Sequence, residues 1–207
     1  MRAALFNGIY EFDERLAIRN HLPQHLPVVE LGACIGVVAC VSNKLLKSPS
    51  HHVVVEANPR LIPDLEANRA FNRCSFSIVN KAIAYGTNSV TFEPAWEPWA
   101  SRIDGNSTSS SSVTVPATSL ADILRDFDFS TFSLICDIEG HEYDLVKHEG
   151  QTLCLADTLI LETHSRFIGE AKNEELLQNL RNLGFDTVAV YGNVCVLKNS
   201  ARNREAG

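Results

Sequence analysis

Five polar residues stand at the ends of short apolar runs in this chain of 207 residues. Ligands of an open α/β sheet bind outside the carboxyl ends of the strands, so residues in these places share one site. A buried carboxylate without a partner is costly. A cluster of carboxylates at the mouth of a sheet therefore predicts a ligand with hydroxyl groups or positive charge. The five residues are Glu30, Glu56, Asn80, Asp137 and Glu162.

The turn after the first run reads Glu30-Leu31-Gly32-Ala33-Cys34-Ile35-Gly36. Gly32 offers a backbone that a ligand can approach closely, and Gly36 lets the next helix pack near the strand. A dinucleotide site needs G-x-G-x-x-G, whose second glycine makes room for the pyrophosphate. In this turn Cys34 stands in place of the second glycine of the motif, and Val37 stands in place of the third. Because its first residue is acidic and repels phosphate, the turn favours a cationic nucleoside without phosphates, such as S-adenosylmethionine.

Glu56 follows Gly32 by 24 residues, at the end of the second run. A carboxylate in this place can accept two hydrogen bonds from ribose hydroxyls, as in dinucleotide folds. The two features on consecutive strands together predict an adenosyl site. The alternative is that Glu56 only caps the next helix and Gly32 only turns the chain, which leaves Glu30 without a role.

Four residues could remove a proton from an alcohol: Asp137, Glu139, His141 and His164. Asp137 and Glu139 are two apart at an extended end, so both side chains point to one side. Histidine has the most suitable unperturbed pKa for this work. The alternatives are that Glu139 caps the following helix and that the histidines are structural. We predict that Asp137, Glu139 and His141 form the catalytic group.

A metal site is a second possibility for the same region. Asp137, Glu139, Glu162 and His164 follow two strands that we expect to be neighbours, and could offer oxygen and imidazole to a divalent ion. The spacing does not require an ion, and we predict none.

The elements that position these residues alternate between strands and helices from Val28 onward. This alternation implies a parallel sheet covered on both faces, and Tyr191-Gly192-Asn193 predicts a hairpin that adds one antiparallel strand. Strands are predicted over 27–31, 52–56, 75–79, 81–85, 90–93, 113–115, 132–137, 158–162, 185–190 and 194–197, and helices over 11–19, 35–47, 58–71, 118–127, 140–148 and 173–183.

Composition limits the function classes. A formal net charge of −7 opposes undirected binding to nucleic acid, which needs a basic face. The sequence has no run of 18 apolar residues that would span a membrane, and its first apolar stretch is too short for a secretory signal. We therefore expect a cytoplasmic protein that binds no nucleic acid. The oligomeric state is not indicated.

The length predicts a single domain over 1–207. Within it we expect an N-terminal helical segment over 1–25, a substrate-side loop over 95–112 and a polar tail over 198–207. Trp96 and Trp99 in the loop either stack on a sugar ring or cover the site, or they pin the loop to the body.

Several segments resemble the FkbM-type methyltransferases, which are Rossmann-like class I enzymes dependent on S-adenosylmethionine. The most specific is Asp137-Ile138-Glu139-Gly140-His141-Glu142, which reads D-x-E-G-x-E. The resemblance implies a mostly parallel seven-stranded sheet with helices on both faces and an antiparallel C-terminal hairpin strand. The segments that carry it are 28–36, 55–59, 79–84, 115–120, 136–142 and 160–164.

What this resemblance implies is methyl transfer from S-adenosylmethionine to a hydroxyl group of a small molecule, sugar or natural product. Glu30 stands where the family often has Asp, and His141 departs from the family, so no role is carried over to His141. By the resemblance, the methionine end of the cofactor lies at the glycine turn, the ribose at Glu56 and the adenine near Asn80. The cofactor-binding set is Glu30, Gly32, Ala33, Gly36, Glu56, Ala57, Asn80, Lys81 and Asp137.

Two other classes remain open from the residues. One is a non-catalytic module that keeps the fold and binds an adenosyl group without transferring a methyl group. The other is an NAD-type oxidoreductase, which needs a phosphate cradle that Cys34 and Val37 do not provide.

Overall fold

The computed structural model describes residues 10–92 and 112–203. The predicted substrate-side loop over 95–112, with Trp96 and Trp99, lies outside the described residues except for Ser112.

The described residues form ten strands and nine helices. The strands are β1 (Val28–Leu31), β2 (His52–Val55), β3 (Ser77–Val79), β4 (Ala82–Ile83), β5 (Ser89–Phe92), β6 (Val113–Thr118), β7 (Phe132–Cys136), β8 (Ala156–Glu162), β9 (Phe185–Tyr191) and β10 (Val194–Asn199). The helices are α1 (Phe12–His21), α2 (Val37–Leu45), α3 (Ile62–Phe71), α4 (Leu120–Asp126), α5 (Glu142–His148), α6 (Gly150–Leu153), α7 (Ser165–Ile168), α8 (Glu170–Asn182) and α9 (Ser200–Asn203).

Seven strands form one sheet in the order β3-β2-β1-β7-β8-β10-β9. All neighbouring pairs are parallel except those of β10, which runs antiparallel to both β8 and β9. The predicted α/β fold, with a mostly parallel seven-stranded sheet and a closing antiparallel strand, is confirmed. The sequence did not predict that β4, β6 and β5 form a separate three-stranded sheet.

Both faces of the large sheet are covered by helices. Residues of β1 are buried at all four positions, as expected for a parallel strand between two helical layers. Alternate side chains point to opposite faces: Val29 and Leu31 join the core beneath α4, α5 and α8, whereas Val28 packs with α1 and α2. Glu30 shares the face of Val28.

Several helices do not begin where the sequence predicts: α8, for example, begins at Glu170 rather than at 173, and two further starts have a visible cause. Helix α3 begins at Ile62 rather than at Asn58-Pro59, because the Asn58 side chain accepts a hydrogen bond from the Arg60 N–H and forms a separate turn. Helix α5 begins at Glu142 rather than at Gly140, whose φ of +101° is left-handed.

The predicted polar tail begins too early. Lys198 and Asn199 continue strand β10, and Ser200–Asn203 forms a short helix. Asn199 is buried, and its amide donates hydrogen bonds to the carbonyls of Cys154 and Ala156. These bonds hold the chain end against the body.

Candidate functional site

A cavity opens at the carboxyl ends of β1, β2 and β7. Its empty space, including the open mouth, is about 800 Å³. The aliphatic and aromatic side chains of Val55, Ile83 and Phe92 give it an apolar wall. Six residues that the sequence predicted for the site line it: Gly32, Glu56, Ala57, Asp137, Glu139 and His141.

Gly32 is required where β1 and β7 end side by side. Its φ is +87°, and a Cβ at this position would overlap the carbonyl oxygen of Asp137. The Asp137 N–H donates a hydrogen bond of 2.9 Å to the carbonyl of Leu31. The turn and the end of β7 are therefore fixed together, and the Asp137 side chain is brought to the cavity.

Two residues of the predicted cofactor set, Ala33 and Gly36, pack the glycine turn against helices α2 and α3. Ala33 is buried among side chains of α2 and α3. At Gly36, with a φ of +82°, a Cβ would overlap the side chain of Leu65 on α3. Ala33 and Gly36 do not line the cavity, so their contribution is to pack the turn onto the helices.

Glu56 binds the turn directly. Its Oε2 accepts a hydrogen bond of 2.7 Å from the Cys34 N–H, and its Oε1 accepts one of 2.6 Å from the Asn58 N–H. Burial raises the pKa of Glu56 to about 7, although the N–H groups of Asn58, Cys34 and Ala57 act against the shift. Each carboxylate oxygen has a second lone pair, so the group can also accept hydrogen bonds from a ligand in the cavity.

Glu30 does not line the cavity, contrary to the direct contact that the resemblance implied. It is 1% exposed, and its Oε2 lies 3.3 Å from His52 Nε2. The physical reason is its position along the strand, since Glu30 lies within β1, whereas Glu56 and Asp137 each follow the last residue of their strand.

Asn80 and Lys81 follow β3 and also do not line the cavity. The Asn80 amide donates hydrogen bonds of 2.8 Å to the carbonyl of Glu56 and 3.1 Å to that of Ala57. Asn80 thereby fixes the backbone of two residues that do line the cavity.

The D-x-E-G-x-E segment forms a tight turn around the carboxylate of Glu142. Glu142 is fully buried, and its Oε1 accepts hydrogen bonds from the N–H groups of Ile138 (3.1 Å) and Gly140 (3.2 Å) and from His164 Nδ1 (2.9 Å). Glu139 has a φ of +53° in this turn. The buried carboxylate presents Asp137, Glu139 and His141 to the cavity.

His164 lies beneath the D-x-E-G-x-E turn. Its Nε2 is 3.5 Å from Asp137 Oδ1 and 3.5 Å from Glu139 Oε2. Burial would lower the pKa of His164, but the hydrogen bond and charge of Glu142, with the charges of Asp137 and Glu139, raise it to about 9. Burial and the charge of Glu162 raise the pKa of Asp137 well above its usual range.

Of the two histidines, His141 is the one that faces the cavity. Its side chain is 32% exposed, and its Nδ1 lies 4.0 Å from Asp144 Oδ2. Its ring can therefore be reached from the cavity.

The sequence predicted no role for several residues of the site, among them Glu142, Phe92 and Tyr10. Glu142 was visible only as the last letter of D-x-E-G-x-E, and its spacing is the signal that could have identified it. Phe92 comes from the small sheet, and Tyr10 donates a hydrogen bond to Cys34 Sγ at 3.4 Å. No pattern in the sequence brings either of these two aromatic residues to the cavity.

Several solved structures are similar to this chain at low sequence identity. They include ribosomal protein L11 methylase from Lactobacillus delbrueckii subsp. bulgaricus, at 15% identity and a TM-score of 0.51 over 90% of this chain and 75% of that one. A putative O-methyltransferase from Klebsiella pneumoniae has 8% identity and a TM-score of 0.52 over 90% and 79%. Fibrillarin from Aeropyrum pernix, solved with S-adenosyl-L-methionine, has 12% identity and a TM-score of 0.50 over 85% and 67%. These likenesses show a shared fold.

No curated protein matches the sequence. In the described part of the chain, helices fall short of the length and hydropathy that crossing a membrane requires.

The family comparison covers most of the chain. Residues 30–187 match the family described as the methyltransferase FkbM domain. This range contains the glycine turn, Glu56, the D-x-E-G-x-E turn and His164, which together form the site. The chain therefore belongs to the FkbM methyltransferase domain family, and the methyl donor of this family is S-adenosylmethionine.

Proposed function

We propose that this methyltransferase transfers the methyl group to a hydroxyl oxygen of a small molecule, sugar or natural product. The observation that carries the proposal is that Asp137, Glu139 and His141 line the same cavity as Gly32 and Glu56. A proton-accepting wall thus lies beside the predicted cofactor residues. Hydroxyl acceptors need such a wall because their proton must leave.

The residues present fit S-adenosylmethionine. Glu56 keeps free lone pairs for the ribose hydroxyls, and Ile83 and Phe92 supply apolar surface for the adenine. Asp137 and Glu139 provide carboxyl oxygens toward the ammonium and sulfonium. Asn80 and Lys81 flank the adenine side in this proposal, with Asn80 acting through the backbone that it holds.

The turn is poorly suited to a dinucleotide. A pyrophosphate site uses free N–H groups of the turn, but the Cys34 N–H is already donated to Glu56 at 2.7 Å. The hydrogen bond therefore favours S-adenosylmethionine over the dinucleotide of an NAD-type oxidoreductase.

The proposed chemical step is an in-line displacement. The acceptor oxygen forms a bond to the methyl carbon while the bond from that carbon to sulfur breaks, which leaves S-adenosylhomocysteine and a methyl ether. His141 receives the hydroxyl proton, and Asp137 and Glu139 orient the acceptor. Alignment supplies several kcal/mol, up to about 7–11 in favourable systems, and a positioned base adds about 10²–10⁴-fold.

Three expectations from the sequence stay predictions. They are the single domain over 1–207, the cytoplasmic location and the absence of nucleic acid from the substrates, the last of which rests on the net charge of −7.

The first test is ligand binding. S-adenosylhomocysteine at 100 times its Kd adds about 2.7 kcal/mol to the free energy of unfolding, so it should raise the Tm, whereas NAD should not. Glu56→Ala should abolish the shift. A shift with NAD, or none with S-adenosylhomocysteine, would contradict the assignment of the cavity.

The second test is the acceptor atom. Labelled S-adenosylmethionine is incubated with matched panels of hydroxyl, amine and thiol compounds, and the label in each product is counted. We expect label only in hydroxyl compounds, sugars among them. Transfer only to nitrogen or sulfur, or to none of the panels, would overturn the proposed O-methylation.

A further inference from the structure

A group of metal-ligating side chains lies beside the cofactor cavity, where β7 and β8 end. One ligand atom from each of Asp137, Glu162 and His164 lies within 4.8 Å of the others. Ligands bound about 2.0–2.2 Å from an ion lie up to about twice that distance apart. The three atoms therefore need only a small inward rotation to meet at one ion.

The imidazole of His164 is oriented as a metal ligand would be. Its Nδ1 is 2.9 Å from Oε1 of the fully buried Glu142, and its Nε2 faces the other side chains of the group. A metal-bound histidine almost always donates its other ring N–H to a carboxylate or carbonyl, which fixes the tautomer and the ring. Glu142 does this for His164.

The carboxylate oxygens that face His164 Nε2 lack hydrogen-bond partners among the described residues. They are Asp137 Oδ1 and Glu139 Oε2, and both are buried. Each lies 3.5 Å from Nε2, beyond the usual range for a hydrogen bond. The His164 side chain is 4% exposed, so its Nε2 is aimed into a small space among carboxylates.

Negative charge is in excess around this space. Glu14, buried on α1, adds to the carboxylates of Asp137, Glu139, Glu142 and Glu162. Arg166 is a nearby cation, and its charge reaches Glu139 and Glu162. A divalent ion would supply the missing positive charge.

The group can be reached from two sides. Asp137 and Glu139 line the cofactor cavity. Glu162 lines a second, acidic opening with Glu11 and Glu14. An ion held between these openings would lie where an acceptor hydroxyl approaches the donor.

We propose that Asp137, Glu162 and His164 bind a divalent first-row transition-metal ion. Mixed oxygen and imidazole ligands suit Mn²⁺ or Zn²⁺, whereas Mg²⁺ and Ca²⁺ prefer oxygen alone. This replaces the expectation from the sequence that the site holds no metal. The inference deepens the proposed function, since a bound divalent ion lowers the pKa of a coordinated hydroxyl, but metal binding itself needs neither donor nor acceptor.

The test is a titration of the full chain with Mn²⁺. The electron paramagnetic resonance signal of the free ion measures how much Mn²⁺ stays unbound at each step. We expect one Mn²⁺ per chain. His164→Gln and Glu162→Gln should each weaken binding at least about tenfold, and Glu142→Gln, which acts through His164, should weaken it about 10–100-fold. Asp13→Asn, in the same acidic opening, is the matched control and should leave binding unchanged.

Two results would overturn the metal site. One is that neither Mn²⁺ nor Zn²⁺ binds, which would make His164 the protonated partner of Asp137 and Glu139. The other is that Asp13→Asn weakens binding as much as Glu162→Gln, which would assign Mn²⁺ to diffuse acidic charge.

S-adenosylhomocysteine binding on the same samples shows that each variant is folded and separates the two proposals. Protein that binds S-adenosylhomocysteine but not Mn²⁺ overturns the metal site alone. Protein that binds Mn²⁺ but methylates no hydroxyl compound overturns the O-methylation alone.

Discussion

The backbone N–H of Cys34 donates a hydrogen bond of 2.7 Å to Oε2 of Glu56. The bond joins the glycine turn after β1 to the end of β2, the two places that the sequence marked as an adenosyl site. It uses the N–H that a pyrophosphate would need, and it fixes the carboxylate at the cavity wall. The choice of a cationic adenosyl donor rests on this contact.

Replacement of Gly32 tests the close approach of β1 and β7. Gly32→Ala places a methyl group into the carbonyl of Asp137, and Gly86→Ala is the matched control because its φ is +72° with open space around it. The left-handed backbone costs about 1–2 kcal/mol at either position. We expect Gly32→Ala to lower the free energy of unfolding by several kcal/mol more, measured by urea denaturation. Equal losses would contradict the overlap.

The pH dependence of stability tests the environment of Glu56. Folding raises its pKa from 4.5 to about 7, so the folded chain holds this proton more tightly than the unfolded chain. The resulting stabilisation is fully present below pH 4.5 and is lost as the pH rises to about 7. Relative to Glu56→Gln, the wild type should lose up to about 3 kcal/mol across this range.

The comparison with Glu56→Gln is needed because burial also raises the pKa of Glu11, to about 8, and that of Glu14. These groups contribute equally to both proteins and cancel in the difference. If the difference in the free energy of unfolding between the two proteins stays constant from pH 4.5 to pH 8, Glu56 has an ordinary pKa and the prediction fails.

Replacement of His141 tests the proton acceptor. His141→Gln should lower kcat about 10²–10⁴-fold while the Tm shift with S-adenosylhomocysteine stays unchanged. His148→Gln is the control, because His148 ends the helix that follows His141 but stacks on Tyr85 with ring centroids 4.5 Å apart. The assignment fails if both variants keep the wild-type kcat, or if both lose it equally.

The limits of sequence reasoning are visible in two glutamates. Glu30 and Glu56 were both predicted to contact the cofactor, but only Glu56 lines the cavity. Both follow apolar residues, but Glu30 lies one residue before the end of β1, whereas Glu56 lies one residue beyond the end of β2. Glu30 therefore stays inside the sheet and lies 3.3 Å from His52. Element ends are the least reliable part of a sequence prediction, so which of the two carboxylates reaches the cavity was not predictable.

Long-range pairing accounts for the other differences. The order of strands and helices followed from hydrophobic runs and turn residues, and the large sheet followed from their alternation. The sequence predicted β4, β5 and β6 as strands but not their separate sheet, because pairing partners are not written in a local pattern. Phe92 reaches the cavity only through that pairing. The D-x-E-G-x-E motif located Asp137 and Glu139, but the role of Glu142 needed the coordinates.

A crystal structure with S-adenosylhomocysteine tests the central claim most directly. We predict that the ribose hydroxyls lie within hydrogen-bond distance of Glu56 and that the homocysteine lies against Gly32 and Asp137. Density for the adenosyl group away from these three residues would contradict the account.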